Sequence, residues 1–387
     1  MKRTSSNIRI QIVDTEKALW ELADAWERLQ ANARVTSVFE TFDWQALWWR
    51  YYGRGQRLRV LLALDGDDIV GILPLYVHRL RRLKYPVRAL RFIGSGGDTF
   101  PDDLGPIIAA SRELEVADAL ARAVVESRGW DVLLLTDMQS DHPFAEALER
   151  RLRSTKLRVE TGRSERIAHL TLPKTWDGWL ASLHRDRRYR IRNARKKLRS
   201  AHPDARFFVW TDEATLPEGV DRLAHLHRKR WQRAGQPHAF ATPRYLGFHR
   251  DVMAACLRRD RLRLYCLEIG GEIVASYYFY RFRNQVFLMQ SGFDPDHAAV
   301  KPGNVLLGHV IEHAVGEGNE AVDFLRGDHR YKDELATGER ETVFVTTFRR
   351  NPGALMYRAR HQYLPTIKAT VLRTLRRFGY EAPRRNA

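Results

Sequence analysis

The residues Ser291, Gly292, Lys301, Pro302, Gly303 and Asn304 carry the most legible chemistry in this sequence of 387 residues. A Pro-Gly pair suits the first turn of a helix and leaves Asn304 or Val305 with an exposed amide. Such amides hold phosphate oxygens, and Lys301 adds a point charge; a helix start without a ligand is the alternative reading. Upstream, RDRRYRIRNARKKLR from Arg185 to Arg199 gathers nine Lys or Arg against one Asp. It reads as a helix with Tyr189, Ile191, Ala194 and Leu198 on a narrow apolar face, and it serves either as a solvated surface or as a guide for phosphate. Familiar catalytic patterns are absent: there is no Gly-Lys-Ser/Thr loop, no His-Glu-x-x-His and no Gly-x-Ser-x-Gly. Nucleotide hydrolysis, zinc proteolysis and serine hydrolysis fall with them. No spacing of side chains suggests a metal site.

The elements that must position these groups are those of a globular chain. Hydrophobic residues make up 44% of the sequence, enough for real cores. Lys and Arg total 65 against 47 Asp and Glu, and only 11 of the 65 are Lys. The surplus of 18 favours phosphate-rich partners without choosing among nucleic acid, an anionic membrane and a phosphorylated small molecule. Cys256 and Cys266 are too few for a disulfide framework, and no segment has the length and apolarity of a signal peptide or membrane span. A cytoplasmic location is expected, with peripheral contact at the inner membrane face left open. The spacing predicts amphipathic helices over 15–30, 111–127, 218–234 and 245–258. Trp44, Trp48, Trp49 and Tyr52 form an aromatic helical face read as core. Leu364, Ile367, Val371 and Leu375 mark a final basic helix that docks on the core or touches acidic lipid.

RLRVLLALDGDDIVG at 57–71 aligns without gaps with RLRLYCLEIGGEIVA at 261–275, each a strand, a Gly turn and a strand. FIGSGG at 92–97 pairs loosely with LMQSGF at 288–293, and GWDVLLL at 129–135 with NEAVDFL at 319–325. The shared order predicts a duplicated α/β unit. The expected divisions are 1–165, 166–345 and a basic helical extension over 346–387.

Lys301-Pro302-Gly303, the run Asp323-Phe324-Leu325-Arg326-Gly327-Asp328-His329-Arg330-Tyr331-Lys332, Phe39-x-x-x-x-Trp44-x-x-x-Trp48 and Gly71-x-x-Pro74-Leu75 together carry a resemblance. Over about residues 15–345 the sequence resembles the GCN5-related N-acetyltransferases in their FemAB-like tandem form. It is most similar to the bacterial acetyltransferases associated with cellulose and exopolysaccharide gene clusters. The resemblance implies a tandem duplicated GNAT fold with mixed central sheets and transfer of an acyl group from acetyl-CoA or another acyl-CoA, without a metal. The acceptor implied is the amine of a small molecule, amino sugar or polysaccharide precursor. The donor pyrophosphate would lie near Lys301, Gly303 and Asn304, and the strand around Gln290 and Ser291 would grip the pantetheine arm. The loop lacks the full Gln/Arg-x-x-Gly-x-Gly/Ala signature. FemAB-type relatives use aminoacyl-tRNA, so tRNA on the Arg185–Arg199 helix is the rival donor, and an inactive scaffold is the non-enzymatic rival.

Acylation of an amine needs a proton acceptor for the amine and a proton donor for the departing thiolate. Asp328, just beyond a strand, is the expected base, Tyr331 the donor, and Asp323 either a buried base or the organiser of the loop. Arg326 orients the base or binds an acidic substrate, Lys332 pairs with a carboxylate or phosphate, and His329 faces solvent. In the first copy no Pro-Gly start matches 301–304. There Asp102 and Asp103 recognise an amine or sugar hydroxyls, or are plain turn residues. Oligomeric state is not legible.

Overall fold

The computed structural model describes residues 8–34, 37–80, 86–327 and 330–363. The strands, in chain order, are β1 (Arg9–Val13), β2 (Arg57–Asp65), β3 (Asp68–Leu80), β4 (Val87–Phe92), β5 (Ile107–Ile108), β6 (Val132–Gln139), β7 (Val159–Thr171), β8 (Arg206–Val209), β9 (Leu262–Ile269), β10 (Glu272–Phe282), β11 (Gln285–Phe293), β12 (Ala321–Asp323) and β13 (Gly338–Phe348). The helices are α1 (Glu16–Glu21), α2 (Ala23–Ala31), α3 (Phe42–Tyr52), α4 (Glu113–Glu126), α5 (Pro143–Arg153), α6 (Trp176–Ser182), α7 (Arg185–Ala201), α8 (Leu216–Arg233), α9 (Pro243–Arg258), α10 (Pro302–Gly316), α11 (Arg330–Leu335) and α12 (Pro352–Arg358).

All strands join one mixed sheet in the order β1-β2-β3-β4-β6-β13-β7-β12-β11-β10-β9-β8, with β5 beside β3. The two halves of that order correspond. Hairpin β2–β3 matches β9–β10, and the parallel pair β4–β6 matches β11–β12. The last strands are exchanged: β13 pairs with β6 in the first half, while β7 pairs with β12 in the second, and β7 and β13 pair with each other. Corresponding helices also meet, since Tyr51 of α3 donates to Asp251 of α9 at 2.8 Å. The duplication expected from the 204-residue offset is thus present in every layer.

The aromatic face of α3 makes this joint. Thr41 caps the helix, and Trp44, Trp48 and Tyr52 follow at four-residue intervals, all buried. Trp44 meets Phe248 edge to face at 4.9 Å, a geometry worth about 0.5–1.5 kcal/mol beyond burial. Trp48 donates to Thr99 Oγ1 at 2.8 Å and so ties down the loop after β4. The predicted helix over 15–30 divides at Leu22 into α1 and α2.

Strand alternation gives the second half two cores. Tyr277, Phe279, Val286 and Leu288 face α6, α7 and α10, whereas Tyr278, Tyr280 and Phe287 face α8 and α9. Helix α7 forms as predicted, with Leu198 buried and Ile191 and Ala194 packed beside it. Tyr189 does not join that face; it is 67% exposed. The predicted final basic helix around Leu364–Leu375 lies outside the described residues. Among the described residues no helix is long and apolar enough to cross a membrane.

Candidate functional site

The parallel strands β11 and β12 separate after three residue pairs, the last being Phe287 with Asp323. Beyond it β11 continues to Phe293, while the other chain turns away through Leu325, which has a left-handed φ of 52°. A bulge coincides with the split: Phe279 pairs with Leu288 and Tyr278 with Gln290, so Met289 is left over. A bulge re-aims the side chains beyond it, and here Gln290 turns to donate to Tyr245 of α9 at 3.1 Å. Gly292 is where helix α8 crosses most closely, because a Cβ there would sit 2.4 Å from the backbone nitrogen of His227.

Two cavities flank this region, and the second of them reaches the split. The first, about 250 Å³, lies between α7 and the start of α10 and is lined by Arg187, Arg190, Lys197, Lys301, Asn304 and Tyr331, among others. Lys301 precedes α10 in a left-handed conformation (φ 50°), and no side chain caps the helix. No acid occupies its first turn, so the partial positive charge of the helix start is uncompensated from within. Gly303 is buried, and a Cβ there would press on Phe293 at 3.3 Å.

The second cavity, about 460 Å³, lies on the α8–α9 side and is lined by Arg230, Gln290, Ser291, Arg326, Tyr331 and Lys332, among others. Phe100, from the first half, also borders it. Tyr331 therefore lines both cavities. Burial raises its hydroxyl pKa, which keeps the proton on. Lys332 donates to the carbonyls of Leu325 at 3.1 Å and Arg326 at 2.8 Å. Burial lowers its ammonium to about 8, against the attraction of Asp102 and Asp323.

The carboxylates sit elsewhere. Asp323 accepts from Leu325 N at 2.7 Å and from Arg340 Nε at 2.7 Å, which fixes the turn after β12. It is 2% exposed and lines neither cavity. Asp102 is fully buried and binds the Arg326 backbone and guanidinium, both at 2.9 Å. Asp103, also buried, pairs with Arg340. Burial pushes Asp102 up to about 6 and Asp103 up to about 7, against the pull of these arginines. Neither aspartate lines either of these two cavities. Arg326 is neutralised by Asp102 and by Asp137 at 2.6 Å. Asp328 and His329 lie outside the described residues.

Sequence reading missed the contribution of α8. His227 points Nδ1 at the Ser291 carbonyl, 2.8 Å away, and Nε2 at the Ala239 amide at 3.2 Å. With burial lowering its pKa to about 4, it is a neutral structural imidazole. Arg230 donates to Ser291 Oγ at 2.9 Å. Their signal was an amphipathic helix rich in His and Arg, which the pattern alone assigns to a surface. Cys256 and Cys266 are buried with thiols pushed up to about 12, so neither is a ready nucleophile. Among the described residues no three His, Cys, Asp or Glu side chains cluster to hold a metal.

Residues 185–333, from α7 through Tyr331 and Lys332, match the acetyltransferase (GNAT) domain family. The whole chain is similar in fold to FemX, with a TM-score of 0.60 at 11% identity, covering 87% of this chain and 96% of that one. A conserved protein of unknown function from Bacteroides thetaiotaomicron aligns with a TM-score of 0.52 at 12% identity, over 88% of this chain and 100% of its own. The C-terminal domain of a putative lysylphosphatidylglycerol synthetase from Agrobacterium fabrum gives 0.52 at 10% identity, over 92% and 97%. At such identities the likeness is one of fold. None of the curated proteins matches the sequence. The fold is a duplicated mixed α/β arrangement whose second half, over residues 185–333, matches the acetyltransferase (GNAT) domain family.

Proposed function

We propose that the protein transfers an acyl group from acyl-CoA to an amine, with the donor entering from the α10 side and the acceptor from the α8–α9 side. The observation that carries this reading is the pair of cavities on opposite faces of the sheet that share Tyr331 of α11, the second of them reaching the split between β11 and β12. The first supplies the helix-start amide of Asn304, Lys301 and the α7 cations Arg190 and Lys197 for phosphates, whereas Val305 N is bonded to Lys301 O at 3.1 Å and Arg187 is paired with Glu334. Beyond Phe287 β11 is no longer paired with β12, and apart from the Ser291 carbonyl held by His227 its backbone groups are offered to an extended pantetheine arm, as an unpaired strand edge does to any extended ligand. These residues fit a CoA thioester.

Within this site the acceptor nitrogen attacks the thioester carbonyl, forming the C–N bond as the C–S bond breaks. Lys332 in its neutral form keeps two N–H bonds to the Leu325 and Arg326 carbonyls and retains a lone pair for the proton of the amine. Tyr331 gives its hydroxyl proton to the leaving thiolate and regains one from the protonated base or solvent. Asp323 and Arg340 position the turn that carries these groups and touch neither substrate.

Calorimetry with acetyl-CoA and longer acyl-CoA thioesters should show saturable binding, and an amine screen read by release of free CoA should find an acceptor. Absence of binding by every acyl-CoA at millimolar concentration would remove the CoA assignment. Aminoacyl-tRNA is the second reading, favoured by the Arg190 guanidinium at the first cavity, where Arg187 is paired with Glu334. It requires tRNA affinity that falls steeply with salt and weakens in R187A/R190A.

A further inference from the structure

The second cavity contains three cationic side chains, and they differ in what balances them. Arg326 is paired with Asp102 and Asp137. Lys332 gives its hydrogens to two carbonyls. Arg230 has neutral company: its NH1 donates to the Ser291 hydroxyl at 2.9 Å, and its guanidinium lies 5.1 Å from the Phe293 ring and 5.3 Å from the Trp231 ring. The charge of Arg230 is felt at Tyr277, Tyr331 and His227, each of which is neutral, the tyrosines by raised and the imidazole by lowered pKa. None of the described residues lining the cavity is Asp or Glu. A guanidinium has five donors in a planar fork shaped for a carboxylate or phosphate. One hydroxyl and two aromatic rings hold that fork in place while leaving most of its donors for another acceptor.

We propose that Arg230 is the specificity-determining residue of the acceptor site and that the acceptor is an amine that also bears an anionic group, phosphate or carboxylate. Arg230 binds the anion, and the amine points toward Tyr331 and Lys332 at the split. A polyamine is disfavoured, because it would bring further positive charge into a cavity that offers no described carboxylate. This inference rests on the acyl-transfer reading for the meaning of the site, but its test is a binding measurement that needs no turnover.

The experiment compares matched amines by calorimetry on the full chain without donor: phosphoethanolamine against ethanolamine, glucosamine 6-phosphate against glucosamine, γ-aminobutyrate against butylamine, with spermidine as the cationic case. At least one anionic member should bind tenfold or more tighter than its neutral partner, and R230Q should erase that preference. R230K should retain part of it, since a lysine keeps the charge but not the fork. S291A, which removes the hydroxyl that orients Arg230, should lower it by a few fold in a fully folded protein. The pair with the larger preference also separates phosphate from carboxylate recognition. Equal or absent binding within every pair, tighter binding of spermidine, or a preference that survives R230Q would overturn the proposal. A failure of acetyl-CoA to bind would count against the acyl-transfer reading and leave the amine series to be judged by itself.

Discussion

The two halves of the molecule share an order of elements and differ in what fills the gap between their parallel strands. In the second half, β11 and β12 part after Asp323 and the space beyond opens to the second cavity. In the first, β4 and β6 pair at Ala89–Leu90, but the chain folds back so that Leu104 donates to the Asp137 carbonyl at 2.8 Å. That returning loop also carries Asp102 and Asp103 across to Arg326 and Arg340. The helix starts differ in the same sense. The first turn of α4 contains Glu113 and Glu115, and Arg112 bonds to Glu115 at 2.8 and 2.9 Å. The first turn of α10 has no acid. One copy satisfies its own gap and helix dipole internally; the other leaves its helix start without an acid, which is where the acyl-transfer proposal puts the donor phosphates.

The bracing half is most sharply tested at Arg340, which neutralises both Asp103 and Asp323. R340M leaves two buried carboxylates without their cation and should cost about 3–5 kcal/mol, seen as a lowered denaturation midpoint. A loss within about 0.5 kcal/mol, the range of an ordinary surface change, would mean that the loop does not brace the second half through this pair.

For the open half, Y331F should lower kcat by about 10²-fold while leaving acyl-CoA affinity nearly unchanged, as expected for a proton donor acting on the leaving group. The pH profile of the unaltered protein should show kcat rising with pH up to about 8 and levelling above it, because Lys332 must lose its proton to act. Stability has the same sign there. Between about 8 and the ordinary lysine value the native state binds fewer protons than the unfolded chain, so stability rises with pH across that window. A limb that persists unchanged in K332M would assign it to another group.

N304E places in α10 the kind of acid that α4 already has. An anion in the first turn favours the helix by about 0.3–1 kcal/mol, yet it should weaken acyl-CoA binding by about tenfold through repulsion of the phosphates. The opposing effects, measured by thermal melting and calorimetry, would separate helix stability from ligand capacity. E115Q in α4 should leave donor affinity untouched. The smallest effect is expected from R190A/K197A, a few-fold loss of donor affinity at low salt that fades near 0.5 M, since exposed charges are screened.

Much of the local structure is legible from residue order. The hairpins at 57–80 and 262–282, the basic helix at 185–201 and the Pro-Gly start of α10 follow from alternation, helical spacing and turn chemistry, each fixed by residues close in the chain. Asp323 and Tyr331 were singled out by type, and the structure separates them, one into the turn and the other onto the cavities. Asp102 reads as turn or binding residue in Pro-Asp-Asp because nothing nearby discloses its partner; Arg326 is 224 positions away. The exchange of β7 and β13 is equally silent, since either strand satisfies the same local pattern in either half. The sequence alone determined which segments become strands and helices and that they occur twice. Which gap stays open is set by long-range strand pairing and by which charges find a buried counter-charge, and neither is written in local residue order.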